Sequence, residues 1–308
     1  MNLGQLRGVI PAVVTPFGLD GSVNYQVLEQ LADHLTGQGV HGIMATGGTG
    51  EFPHLSDEER FQATRAIVSG ADGRVPVIAG TAACTTRDVL RLAEHAAEAG
   101  AAAIISVPPF YFPLPDTALA DFFTSLADNS PLPVFIYNNP LYTGNPLSPP
   151  LLAELLQHPR IAGLKHSGTD LGELVEVIYQ IRFTRELDKC LMTGIDSQLC
   201  GALAAGADGI FSTAACVAPR QVVEIFALVT AGDIMAARAA QLRMQPLNRF
   251  LEYDPGYVGP AKEALRLLGF EVGYPRPPLP GLDAGQRERL RQALARLGML
   301  TAVAGESS

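Results

Sequence analysis

Lysine is nearly missing from this chain: Lys165, Lys189 and Lys262 are its only three, among 22 lysines and arginines. Arginine supplies the positive charge everywhere else. It stays protonated and cannot serve chemistry that needs a neutral amine. Basic charge is scarce overall, and a net charge of −9 argues against a nucleic-acid partner, which needs a basic surface. Long apolar runs are missing too. None reaches the roughly 18 residues of a membrane span, so no membrane partner is expected. Residues 1–7 form a short polar lead without the apolar stretch of a signal peptide. Cysteine is limited to Cys84, Cys190, Cys200 and Cys216, with no CxxC pair and no disulfide framework. Buried, reduced thiols and a cytoplasmic location are expected. The histidines, His34, His41, His54, His95, His158 and His166, include no pair at zinc-like spacing. That disfavours a metal-dependent aldolase. GxSxG and a well-placed GxGxxG are also absent, which weakens serine hydrolase and dinucleotide dehydrogenase readings.

What is present is order. Apolar content of 47% with 17% charged residues describes a compact folded protein. Apolar runs begin at Val9, Gly42, Val75, Ala102, Pro133, Ile161, Cys190 and Gly209. Between them lie segments with an apolar face every 3.6 residues, such as "TRDVLRLAEHAAEAG" and "DLGELVEVIYQIR". Ser56 opens one helix, while Gly37, Gly39 and Gly100 follow others. Continuous apolar strands alternating with helices mean buried parallel strands. Eight such units fit a (β/α)8 barrel, with a doubly wound open sheet as the alternative. Residues 1–217 are expected to form the barrel core through strand eight. Residues 218–308 should supply the last barrel helix and a helical extension of the same unit.

Lys165, in "IAGLKHS", falls near the C-terminal end of the sixth strand, where barrel enzymes place their chemistry. Desolvation disfavours an ammonium, so a lysine there is suited to nucleophilic attack on a ketone and Schiff-base formation. A salt-bridged lysine whose tip reaches solvent is the structural alternative. Tyr137 ends the neighbouring fifth strand, where its phenol can shuttle protons; otherwise it is a core tyrosine. "ATGGTGEF" after strand two lets the backbone approach a ligand, with Thr49 adding a hydroxyl, and lacks the GK[ST] ending of a phosphate loop. Glu51 could simply brace that turn. Phe110, Tyr111 and Phe112 lie in a proline-flanked loop suited to a partner subunit or to the barrel's own surface. His166, next to Lys165, should face the helices, because strand neighbours point to opposite faces.

Taken together, "GVIPAVVTPF", "GGTGE", "PPFYF", "YNNPLYTG", "GLKHS", "GADGIFSTAACVAP" and "KEALRLLGFEVGYPRPPL" resemble the dihydrodipicolinate synthase / N-acetylneuraminate lyase family. These are Schiff-base-forming class I aldolases. The resemblance implies a (β/α)8 barrel with C-terminal helices, no cofactor, and a pyruvate-type 2-oxo acid bound covalently to lysine. It makes Lys165 the Schiff-base residue, Tyr137 the acid/base and Thr49 the holder of the substrate carboxylate. Phe211 matches a position whose backbone approaches the bound pyruvate moiety, and Gly194 joins the expected substrate-binding set. Tyr111 matches a tyrosine that reaches into a neighbouring subunit's site, so a homodimer or homotetramer is expected.

Two positions depart from the pattern. Gly48 stands where the family usually has a hydroxyl residue, removing a relay through that side chain unless water substitutes. Tyr142 stands where lysine-pathway synthases carry an arginine for the aldehyde's carboxylate. Losing such a charge-assisted pair should cost about 1.5–3 kcal/mol, or roughly ten- to a hundredfold. The leading expectation is a lyase on a 2-keto-3-deoxy sugar acid, by aldol cleavage or dehydration. The alternatives are 4-hydroxy-tetrahydrodipicolinate synthase and a catalytically silent ligand-binding barrel, the last opposed by the intact Lys165, Tyr137 and Thr49.

Overall fold

The computed structural model describes residues 3–253 and 256–300. Each apolar run becomes a short strand: β1 Gly8–Pro11, β2 Ile43–Ala45, β3 Val77–Gly80, β4 Ala103–Ser106, β5 Val134–Asn138, β6 Ile161–His166, β7 Cys190–Thr193 and β8 Gly209–Ser212. Among the described residues these eight parallel strands form a nearly closed barrel, hydrogen-bonded in the order β1-β8-β7-β6-β5-β4-β3-β2. The remaining seam is drawn together just past β1 by a parallel bridge between Ala12 and Met44.

Period-two alternation sends side chains to two cores. Ile10, Met44, Ile78, Phe135, Met192 and Phe211 fill the lumen, with Leu3 and Leu6 closing its N-terminal end. Val134, Ile136, Ile161 and Leu164 point outward into a second core against the surrounding helices. Both faces are dry, so the strands read as unbroken apolar runs rather than alternating ones.

The helices obey their own period. In Thr86–Glu98, residues Val89, Leu92, Ala93 and Ala96 form the buried stripe, and the Thr85 side chain accepts from Asp88 N. Asp57–Ala71 starts on a capping box, with Ser56 and Glu59 each satisfying the other's backbone N–H. After β8 come helices Pro219–Thr230, Ile234–Asn248, Val258–Leu267 and Ala284–Arg296. Pro246 interrupts the second of these, and the chain continues as a π-helical turn, Arg249–Tyr253. Such turns gather where the ordinary helical ladder is broken. Residues 301–308 of the expected extension lie outside the described residues.

One expectation about the thiols needs correcting. Cys190 and Cys216 are buried and Cys200 is half-buried, but Cys84 is exposed. It sits in the loop after β3, at the rim of the barrel rather than under a helix.

Candidate active site

The β5–β6 ladder pairs Tyr137 directly with Lys165. Parallel neighbours in register point the same way, here into the lumen. Lys165 is 5% exposed, with Nζ 4.0 Å from the centre of the Tyr137 ring and 5.7 Å from that of Phe211. It also lies 3.8 Å from the Met44 sulfur. Among the described residues the amine makes no ion pair. Gly194 explains how the side chain fits: a Cβ there would lie 2.8 Å from Lys165 Cε and 2.1 Å from Ser167 Oγ. Glycine at 194 is the space the lysine stem occupies.

Tyr137 opens onto the cavity, and its hydroxyl accepts from Asn139 Nδ2 at 3.0 Å. Burial pushes the phenol up, but the Lys165 charge, the nearby Ser167 hydroxyl and Lys165 amine, and the Asn139 hydrogen bond outweigh it, leaving the group below an ordinary tyrosine. A phenol eased toward ionisation beside an amine can take up and return protons.

Thr49 is buried, its hydroxyl 2.9 Å from that of Thr213. The loop holding it is under backbone strain, since Thr46 and Glu51 have φ of 47° and 59°. Glu51 holds the loop to the C-terminal helices. One of its carboxylate oxygens meets Lys262 Nζ at 2.6 Å, and the other accepts from Arg276 N at 2.8 Å. Lys262 also lies 3.9 Å from the centre of the Phe17 ring and donates to the Tyr274 carbonyl at 3.0 Å.

The opposite wall carries groups with no warning in the motifs. Asp196 is buried, bonded to Ser212 Oγ and accepting from Ala214 N at 3.0 Å. Burial raises its carboxyl despite those bonds and the Lys165 charge. The π-helical turn delivers Glu252, whose carboxylate accepts from Ser197 N at 2.6 Å. Burial and then the neighbouring Asp196 charge push Glu252 up to about 7. Tyr257, at the start of Val258–Leu267, also lines the cavity. Gly48 is the one sequence signal for it, because a missing side chain leaves room that another group must fill.

These walls enclose a cavity of about 220 Å³. It takes in Thr49, Tyr137, Tyr142, Lys165, Gly194, Asp196, Glu252 and Tyr257, with Lys165 the sole cation among its described lining residues. Larger hollows of about 440 and 310 Å³ lie elsewhere, the first on the outer face of the C-terminal helices and the second at the opposite end of the barrel. The second includes Lys189, whose amine is committed to the carbonyls of His158 and Ile161 at 2.8 and 2.6 Å.

Not every residue singled out in the sequence joins the cavity. Phe211 lies in the packed lumen beneath it. Gly48 borders it only through Tyr257, whose hydroxyl a Cβ at 48 would meet at 2.7 Å. Tyr142 sits at the rim, 63% exposed. Tyr111 is outside, 84% exposed with φ 83°, its ring edge-on to Phe112. His166 faces outward, 3.4 Å from Glu173 on the Leu171–Tyr179 helix, and burial lowers it to about 4. Among the described residues, no three His, Cys, Asp or Glu side chains are grouped to hold a metal ion.

A pair of parallel-strand residues presenting amine and phenol to one small cavity invites comparison with known proteins. The profile of the Dihydrodipicolinate synthetase family matches residues 5–297. The chain belongs to this family. It is accordingly an enzyme of the lyase kind. It is 39% identical over 298 residues to an uncharacterized DapA-like lyase of Halobacterium salinarum, covering 96% of this chain and 95% of the relative. It is 36% identical to 4-hydroxy-tetrahydrodipicolinate synthase of Methanoculleus marisnigri, covering 96% and 100%. A solved prophage protein of the dihydrodipicolinic acid synthase family from E. coli K12, in complex with pyruvate, superimposes with a TM-score of 0.90 at 30% identity, covering 96% of this chain and 99% of that one. A dihydrodipicolinate synthase variant described as monomeric gives 0.92 at 28% identity, covering 97% and 99%. No described helix is long and apolar enough to cross a membrane.

Proposed function

We propose that this protein is a Schiff-base lyase acting on pyruvate or a pyruvate-derived 2-oxo acid, of the 2-keto-3-deoxy sugar acid kind. The observation that carries the reading is the Lys165 amine beside the Tyr137 phenol in a cavity whose described lining holds no other cation. In this reading the neutral amine adds to the substrate's C2 carbonyl, and loss of water leaves an iminium. That iminium draws electrons from the adjacent C3 carbon. Tyr137 then moves the proton whose transfer accompanies cleavage of the C3–C4 bond or departure of the C4 hydroxyl. Thr49 holds the carboxylate so that the ketone meets the amine, an orientation effect that can supply several kcal/mol.

The far wall favours a hydroxyl-rich tail. Asp196, Glu252, Gln198 and Tyr142 line it, and no described guanidinium does. Hydroxyls donate to carboxylates and amides, whereas a second carboxylate would lack a counter-ion there. Condensation of pyruvate with aspartate semialdehyde remains the second reading, favoured by the name of the Methanoculleus relative. It needs a carboxylate-binding group where Tyr142 stands. The exposed pair Tyr111 and Phe112 fits a contact between copies, so a homodimer or homotetramer belongs to the same proposal.

The test is trapping. Pyruvate with borohydride should add one reduced pyruvate to the peptide holding Lys165. An adduct on Lys189 or Lys262, or none at all, defeats the mechanism. A panel of 2-keto-3-deoxy sugar acids against aspartate semialdehyde plus pyruvate separates the two readings. Sedimentation as a monomer at micromolar concentration would remove the oligomer.

A further inference from the structure

Gly48 and Tyr257 lie far apart in sequence, yet one occupies the other's side-chain space. A Cβ built at Gly48 meets a single described group within 4 Å, the Tyr257 hydroxyl, at 2.7 Å. The fit is held from both sides. Tyr257 begins the helix whose Lys262 is bound to Glu51, and Glu51 belongs to the same loop as Gly48. The Tyr257 hydroxyl also lies beside the Thr49 side chain, and Thr49 in turn shares a bond with Thr213. All three line the lysine cavity. Burial raises the Tyr257 phenol, and the nearby Tyr137 and Tyr142 add to the effect, so it remains a donor across the neutral range.

We propose that Tyr257 is a substrate-contacting residue of this active site, placing a hydroxyl donor in the space Gly48 leaves open, next to Thr49. The inference rests on the Schiff-base reading. Its role is to hold and polarise a substrate oxygen while the carbon beside the iminium loses or gains its proton. Gly48 is its steric counterpart: any side chain there displaces the phenol.

The probe is pyruvate alone, with exchange of its methyl protons for deuterium followed by NMR. Exchange needs the iminium and a correctly held substrate but no second substrate. Tyr257→Phe should slow it about tenfold or more, less than the roughly 10²–10⁴-fold of a direct proton-transfer group because Tyr257 only holds and polarises the substrate oxygen. Gly48→Ser in the Tyr257→Phe background should recover several-fold of the loss, since the phenol oxygen no longer blocks it and a hydroxyl returns. Gly48→Ala in that background restores volume without a donor and should recover nothing. Wild-type exchange in Tyr257→Phe, equal recovery by Ala and Ser, or no recovery by Ser would each overturn the proposal. Borohydride trapping of the wild type separates the failures: with no Lys165 adduct the functional reading falls, and with an adduct but no Ser-specific recovery only Tyr257 does.

Discussion

Lys165 and Lys262 are both buried, 5% and 1% exposed, and both lie against aromatic rings, yet their surroundings differ in one respect. Lys262 meets the Glu51 carboxylate at 2.6 Å; Lys165 meets a thioether and a phenol ring. A buried ammonium with a bonded carboxylate ties two elements together, here the Val258–Leu267 helix and the strand-two loop. Burial lowers Lys262 to about 8 even so, with Glu51 pulling it back and Arg276 adding to the lowering. A buried amine left beside an open cavity has reason to react instead. The same residue type is a strut in one region and a candidate nucleophile in the other, and the carboxylate decides which.

The largest expected effect comes from Lys165→Arg. It keeps a cation and removes the nucleophile, so adduct and turnover should vanish while the melting temperature stays near wild type. Measurable pyruvate trapping elsewhere in this variant would break the comparison. Lys262→Met should do the reverse. It strands the Glu51 carboxylate in a dry site, a change that typically costs about 3–5 kcal/mol. Denaturant unfolding should record that loss, and Lys165 should still trap pyruvate in whatever fraction is folded. Adding Glu51→Gln should recover part of the stability, because the buried charge disappears with its partner.

The third test acts on the nucleophile's surroundings. Gly194→Ala pushes a methyl group toward Lys165 Cε and Ser167 Oγ. The tip of the lysine can move aside, so the fold survives, but its amine shifts. A displacement near 1 Å costs on the order of 10²-fold in rate. Steady-state kinetics should show kcat falling while thermal unfolding changes little; an unaltered kcat would mean the lysine's path is looser than the packing suggests.

Strand residues were readable from the chain because their placement follows local rules. An apolar run ending at Lys165 and another ending at Tyr137 fix both side chains at one end of a parallel barrel. Thr49 was readable from its glycine loop. Tyr257 and Glu252 were not, since they reach the cavity only after the C-terminal helices dock on the barrel, and Asp196, just past β7, stands in no motif that marks it. No periodicity announces a π-helical turn, and nothing near Glu252 in sequence points to Ser197. Lys262 drew notice as one of three lysines, but its partner Glu51 had been a brace without a known strut. Tyr111 was placed by resemblance at a subunit contact, and a single chain leaves it on the surface.

The smallest expected effect concerns carboxylates rather than lysines, and it mirrors the opening contrast. Glu51 faces a cation, whereas Glu252 faces Asp196. Its folded value of about 7 lies above the 4.5 of the free side chain, so between those limits the folded state binds more protons than the unfolded one. Stability from this group is therefore fully present below 4.5 and is lost as the pH rises through 7. Glu252→Gln keeps the shape and removes the titration. The variant should lose this segment of pH dependence and, at pH 8, be more stable than wild type by about 1–2 kcal/mol, a figure reduced for partial solvent access. Urea unfolding at pH 5 and pH 8 measures it. Identical pH dependence in the two proteins would mean Glu252 has found a cation or water that relieves it, and the contrast with Glu51 would narrow to geometry alone.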